Sequence, residues 1–220
     1  MNLSVIEGRN NIMPLNSNEV ADELLCSATS KNLPIQERKE KTMRNGTQTL
    51  MNSVVHAAEQ PTYAVVGTLL QFVSTPERNG GNLSVMRGGI PPRTIIPLHS
   101  HASPEVFYVL EGVLEVFQQD GDASGWQTAT IGDVVTIAGG VKHALRNPGD
   151  TAVAAILVSD GQLERFFNEL AVPLGPGEAP PVPTPEAMQK FFEVAARYEY
   201  GIGSPQDNAS IGIPAASYTW

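Results

Sequence analysis

Between Tyr63 and Ser159 the chain alternates apolar and polar positions in short stretches. They read TYAVVGTLLQFV, NLSVMRGG, RTIIPLH, EVFYVLEGVLEVFQQD, GDVVTIAG, HALRNPG and AVAAILVS. Each is rich in Val, Ile, Leu or aromatics, and Gly, Pro, Asn and Asp punctuate them in RNGGN, GGIPP, DGDASG and NPGD. Successive side chains of a strand point to opposite faces, so short alternating stretches between breakers predict an all-β domain, a small β-barrel or jelly roll. Tight turns at Glu111-Gly112 and Pro148-Gly149 are expected to close hairpins.

The flanks carry a different period. Residues 16–30 predict a helix capped by Asn16, with Glu19 three residues on and Val20, Leu24 and Ala28 at four-residue spacing. Residues 34–48 mix charges of both signs without an apolar face and read as a linker or a solvated helix. Beyond Ser159, Leu163, Phe166, Phe167 and Leu170 fall on one helical stripe. Six prolines in 173–185 imply a stiff extended connector. Thr184 and Pro185 then open a second helix, with Met188, Phe191, Phe192 and Ala195 on its apolar side and Gly201 at its end. Both stripes are expected to pack on the β domain. Residues 203–220 read as a tail. The expected division is a helical extension over 1–60, the β domain over 61–160, and C-terminal helices with a tail over 161–220.

Composition narrows the function. The 220 residues are 41% hydrophobic and only 17% charged, with 20 glycines and 17 prolines, which suits strands and turns. A net charge of −9 repels nucleic acid and anionic membrane, so neither is an expected partner. No apolar run is long enough to span a bilayer. No basic stretch followed by an apolar one opens the chain, so no signal peptide is expected. The single cysteine, Cys26, excludes an intramolecular disulfide and fits a reducing, cytoplasmic setting. Ile6-Glu7-Gly8-Arg9 spells a protease site and Met43 could serve as a start, so residues 1–42 carry no functional argument.

Candidate chemistry lies in the β domain. His99 and His101 are two apart, so on a strand they share a face. Glu105 follows the AlaSerPro break and restarts a strand in which Glu105, Phe107 and Val109 share a side. His143 opens another strand, with Leu145 and Asn147 on its face. Three imidazoles and one carboxylate suit a divalent transition metal and leave coordination positions open. A chance HxH on a solvated strand is the alternative for His99 and His101 alone; His143 in register with them favours the metal. Phe107, Val109 and Leu145 would line an apolar substrate pocket. Tyr108 and Trp126 read as rim or core packing, and Arg93 and Lys142 as surface charges. His56 stands apart from every other candidate ligand.

These segments resemble the two signature motifs of the cupin superfamily. His99, His101, Glu105 and Gly112 meet every spacing of the first, and Gly132, Gly140, His143 and Asn147 stand at the offsets of the second. Arg93 stands where the first motif usually has glycine, and Ala138 where the second usually has proline. Both departures fall in turns. The resemblance implies one bound Fe, Mn, Ni or Co ion, with Zn less suited, and a homodimer.

Three functions follow from it as expectations. One is a metal-dependent dioxygenase, similar to quercetinase-like members, acting on an apolar enolisable molecule of flavonol or diketone type. There Glu105 would ligate the ion and take the substrate's hydroxyl proton before dioxygen adds and a bond breaks. Another is a redox-neutral cyclase, isomerase or decarboxylase for a polyketide-like or keto acid substrate. The last is a non-catalytic small-molecule-binding module, for which the N-terminal region offers no helix-turn-helix.

Overall fold

The computed structural model describes residues 52–119 and 124–214. The helix expected over 16–30 and the linker over 34–48 lie outside the described residues. Among the described residues, no helix is long and apolar enough to cross a membrane.

Two antiparallel sheets face each other. The larger has seven strands: β1 (Thr62–Val65), β2 (Thr68–Ser74), β3 (Leu83–Ile90), β5 (Glu105–Glu111), β8 (Val134–Ile137), β10 (Val153–Asp160) and β11 (Val172–Leu174), in the order β11-β1-β2-β3-β10-β5-β8. The smaller has five: β4 (Ile95–Ser100), β6 (Leu114–Gln118), β7 (Gly125–Ala129), β9 (His143–Arg146) and β12 (Gly201–Ile202), in the order β12-β4-β9-β6-β7. The two sheets are separate and do not close, and the mainly β barrel or jelly-roll fold is the one expected. Among the described residues there are four α-helices, α1 (Pro76–Asn79), α2 (Gly161–Leu170), α3 (Pro185–Arg197) and α4 (Pro205–Ser210), and a short 3-10 turn at Ala57–Glu59.

Alternation explains the core. On β5, Glu105, Phe107 and Val109 point inward and are buried, while Tyr108 faces out at 46% exposure. Met86, Val109 and Leu157 of the large sheet meet Leu114, Val116 and Leu145 of the small one in one cluster. Leu163 and Phe166 of α2 and Phe191 and Val194 of α3 extend it. Fully burying one such side chain contributes roughly 1.5–3 kcal/mol. The Phe166 and Phe191 stripes are thus used within one chain.

The expected hairpins at Glu111-Gly112 and Pro148-Gly149 are corners instead. The first carries the chain from β5 to β6, the second from β9 to β10, and each crosses between sheets. Gly112 sits at φ +79, and a Cβ there would lie 2.9 Å from the Ala152 carbonyl oxygen. Only glycine lets the strands pass that closely. A genuine hairpin lies inside TYAVVGTLLQFV, where Val66 (φ 45) and Gly67 (φ 79) both adopt the left-handed region.

The C-terminal part departs from expectation more widely. Asp160 caps α2 by accepting from the Gln162 and Leu163 amides, and Thr184 caps α3. α3 stops at Arg197, and Gly201 begins a strand. The connector contributes β11, which pairs with β1. The expected tail forms α4 behind a Ser204–Asp207 capping box and buries Ile213 completely. Ile213 packs with Leu98, Phe117 and Ala144 on the outer side of the small sheet. Trp126 lies on β7, packs edge-on against Phe117 and donates to the Ile211 carbonyl at 2.8 Å, which fits its expected packing role.

Candidate metal centre

The small sheet delivers the imidazoles. His99 lies near the end of β4 and pairs in register with His143, the first residue of β9. His101 follows one residue after β4 ends. Ring centroids are 4.1 Å apart for His99 and His143, 5.1 Å for His101 and His143, and 5.7 Å for His99 and His101. One ring nitrogen of each can be chosen so that all three lie within 4.8 Å of one another. The facing sheet delivers Glu105, the first residue of β5. Its Oε2 is 3.2 Å from His143 Nε2 and 3.7 Å from His101 Nε2. All four side chains are buried, His143 to 1% exposure.

Two turns lock this arrangement. The Gly140 amide donates to the His101 carbonyl at 2.7 Å. A Cβ on Gly139 would lie 2.0 Å from the Ala102 carbonyl oxygen, so the turn before His143 sits directly on the loop after His101. Ser103 Oγ donates to Asp160, the α2 cap, and Ser159 Oγ donates to the Pro104 carbonyl. Asn147 does not reach the histidine cluster. Its amide donates to the carbonyls of Ile90, Pro91 and Thr151 and holds the corner after β9.

The hydrogen bonds set the histidine tautomers. Nδ1 of His99 lies 2.7 Å from the Pro97 carbonyl oxygen, that of His101 2.8 Å from Ser103, and that of His143 2.8 Å from Val141. A carbonyl only accepts, so each Nδ1 carries the proton and donates. Each Nε2 then presents a lone pair, the form a metal binds. Glu105 Oε2 and His143 Nε2 are buried without a hydrogen bond. Two acceptors 3.2 Å apart repel unless a cation, a proton or a metal, neutralises them. The donor set therefore fits a divalent metal ion.

The electrostatics agree. Burial raises the Glu105 carboxyl, but the His101 and His143 rings beside it outweigh that and hold it at about 2. Burial, then the neighbouring His143, push His99 well below 6.5, with Glu105 only partly offsetting them. The carboxylate stays ionised and His99 stays neutral at physiological pH.

The cluster lies at the polar end of a cavity of about 490 Å³. His99, Glu105 and Tyr200 reach its lining; most of the remainder is apolar, including Phe107, Leu145, Phe166 and Phe191. Val109 shares the face of Phe107 but is wholly buried in the core and is not part of the lining. His56 is exposed and is not part of the cluster. Arg93 bonds Asp150 and Pro148 on the surface. The sequence reading missed the wall that α2, α3 and Tyr200 supply. Its one signal was the run of aromatics Phe191, Phe192, Tyr198 and Tyr200.

Residues 86–160 match the family described as a cupin domain. The histidine cluster falls inside that stretch, so residues 86–160 are a cupin domain. Germin-like protein subfamily 3 member 1 of Arabidopsis thaliana is 31% identical over 114 residues, 51% of either chain. Germin-like protein 5-1 of Oryza sativa subsp. japonica is 32% identical over 138 residues, 62% of this chain and 61% of that one. The chain thus spans about half to three-fifths of the length of these relatives. Among solved structures, a polyketide cyclase from Streptomyces resistomycificus is similar at TM-score 0.45 and 16% identity, over 50% of this chain and 80% of that one. A structure titled a predicted oxalate decarboxylase, from Thermotoga maritima, is similar at TM-score 0.43 and 20% identity, over 49% of this chain and 98% of that one.

Proposed function

We propose that the protein is a metal-dependent dioxygenase for an apolar small molecule bearing one enolisable polar head. The observation that carries this reading is the cluster of His99, His101, His143 and an ionised Glu105, of which His99 and Glu105 line an otherwise largely apolar cavity. His99, His101 and His143 would hold the ion, with Glu105 as the fourth ligand. A bound iron, manganese, nickel or cobalt ion would supply Lewis acidity and, where redox-active, electron exchange with dioxygen.

The chain's own residues account for the rest. Phe107, Leu145, Phe166 and Phe191 hold the apolar body of the substrate and exclude water. That leaves the polar head beside Glu105 Oε2, which accepts the hydroxyl hydrogen. A carboxyl held at about 2 is a weak base, so Glu105 acts first as anionic ligand and acceptor. It would take the proton only from a hydroxyl made more acidic by a bound ion.

Oxygen uptake by protein loaded in turn with each of the four metals, with quercetin and acetylacetone as probes, tests the reading. Metal-dependent dioxygen consumption is expected. Turnover that proceeds equally without dioxygen, and survives zinc, would replace it with a redox-neutral lyase or isomerase. Retention of a probe without turnover would leave a binding module.

A further inference from the structure

β4, the strand that carries His99, has β9 on one side only. Its other edge is covered by residues far outside the matched cupin domain. Gly201 pairs with Ser100 and Ile202 with His99. The Gly203 amide donates to the Leu98 carbonyl at 2.7 Å, and the Leu98 amide donates to Asn208 Oδ1 at 2.8 Å. Asn208 is wholly buried, and its Nδ2 returns to the carbonyls of Gly203 and Ser204. The approach is tight: a Cβ on Gly203 would lie 2.8 Å from the Leu98 carbonyl oxygen. A bare edge strand keeps unpaired N–H and C=O groups and frays. Here that edge is sealed beside a metal-ligand candidate.

The same segment grips the imidazole itself. The Tyr200 ring lies parallel to His99, 5.0 Å away at 7°. The Tyr200 ring also stacks on Phe166 of α2, 4.6 Å away at 11°. His99 Nδ1 is already fixed by the Pro97 carbonyl. Ring plane and ring tautomer are thus held by two independent contacts.

We propose that the C-terminal strap from Tyr198 to Ile213 is an integral part of the metal centre, with Tyr200 as the positioning residue that clamps the His99 ring between β4 and Phe166. The inference rests on the metal-binding reading. Groups that orient a ligand change metal affinity about 10- to 100-fold when removed. A ring that merely fills space would change stability and leave the metal's environment alone.

Cobalt(II) titration of the full chain, read by affinity and by the visible d–d spectrum, separates these. Tyr200→Phe keeps the stack, so affinity within about twofold and an unchanged spectrum are expected. Tyr200→Leu removes it, and a loss of about 10-fold or more with shifted bands is expected. Asn208→Ala touches no ligand side chain but loosens the strap, and a smaller loss in the same direction is expected. Tyr200→Leu with unchanged affinity and spectrum overturns the inference. If that variant does not fold, an unchanged Asn208→Ala overturns it instead. Failure of the unaltered chain to take up cobalt overturns the metal-binding reading, and this inference with it.

Discussion

The two ends of the cavity are built by opposite rules. At the apolar end, Leu70, Phe107, Leu145 and Phe166 need only complementary shape, and each gains from leaving water. At the polar end, four buried side chains each lose hydration, and only part of that loss is returned. Every histidine Nδ1 has its carbonyl, while Glu105 Oε2 and His143 Nε2 have no hydrogen bond. A domain selected for stability alone would fill that end with Val or Leu. The half-satisfied cluster therefore points to a function, and under the proposed reading the apolar end would hold the substrate.

The comparison breaks most sharply with His143→Ala. Removing the imidazole opposite both Glu105 and His99 deletes one ligand of the cluster and is expected to weaken metal binding at least about 100-fold. Elemental analysis after dialysis measures it. Thermal stability of the metal-free chain should change far less, because the repelling pair is gone. Phe107→Ala is the counterpart at the apolar end. It should cost about 3 kcal/mol, the low side for burying an aromatic ring, since part of that ring already faces the cavity. Denaturant unfolding gives the cost, and cobalt uptake should be retained. If Phe107→Ala lost metal and His143→Ala kept it, the division of labour would be wrong.

How far the sequence showed this division depends on locality. His99, His101, Glu105 and His143 were legible because strand parity and short turns fix them, and Gly112 and Gly139 mark where backbones must touch. Phe107 and Leu145 followed by the same parity. Val109 shows the limit: parity says inward, but not whether inward means cavity or core. The corners at Gly112 and Gly149 misread as hairpins because a turn's residues do not tell which sheet receives the next strand. β7 was hidden because, of GWQTA, only Trp126 and Ala129 are apolar, too few to display alternation on an edge strand. Tyr200 and the strap were illegible because their meaning lies in partners a hundred residues away, Leu98 and His99. No local period encodes that pairing.

Acidification sharpens the comparison from the polar end alone. His99 is held well below 6.5, so below 6.5 the unfolded chain binds a proton that the folded chain refuses. Stability linked to His99 is therefore present above 6.5 and falls as pH drops from there toward its folded value. Glu105, held at about 2 against the usual 4.5, adds a second loss between about 4.5 and 2. The signs agree, so the melting temperature of the metal-free protein should fall steadily below pH 6.5. Metal affinity should fall over the same range, since protons compete for Nε2. A melting temperature that rises between pH 6.5 and 5 would mean the cluster is not buried neutral. The phenylalanine wall has no titrating group, so Phe107→Ala should shift the curve down without changing its shape.

The smallest effect is expected at Arg93, which belongs to neither end. Its φ is +59, the left-handed region that a motif glycine would occupy without strain. For a non-glycine residue that conformation costs about 1–2 kcal/mol. In return, its guanidinium bonds Asp150 and the Pro148 carbonyl and holds the corner between β9 and β10. Both charged side chains are exposed, 65% and 85%, so the pair contributes at most about 1 kcal/mol. Arg93→Gly relieves the strain and loses the pair, for a net change within about 1 kcal/mol. Arg93→Ala keeps the strain and also loses the pair, so it should be the less stable of the two by denaturant unfolding. Neither should alter cobalt affinity, because Asn147, not Arg93, ties the corner to β3 through the Ile90 carbonyl. If Arg93→Ala proved the more stable variant, the glycine at this motif position would answer to something other than backbone conformation.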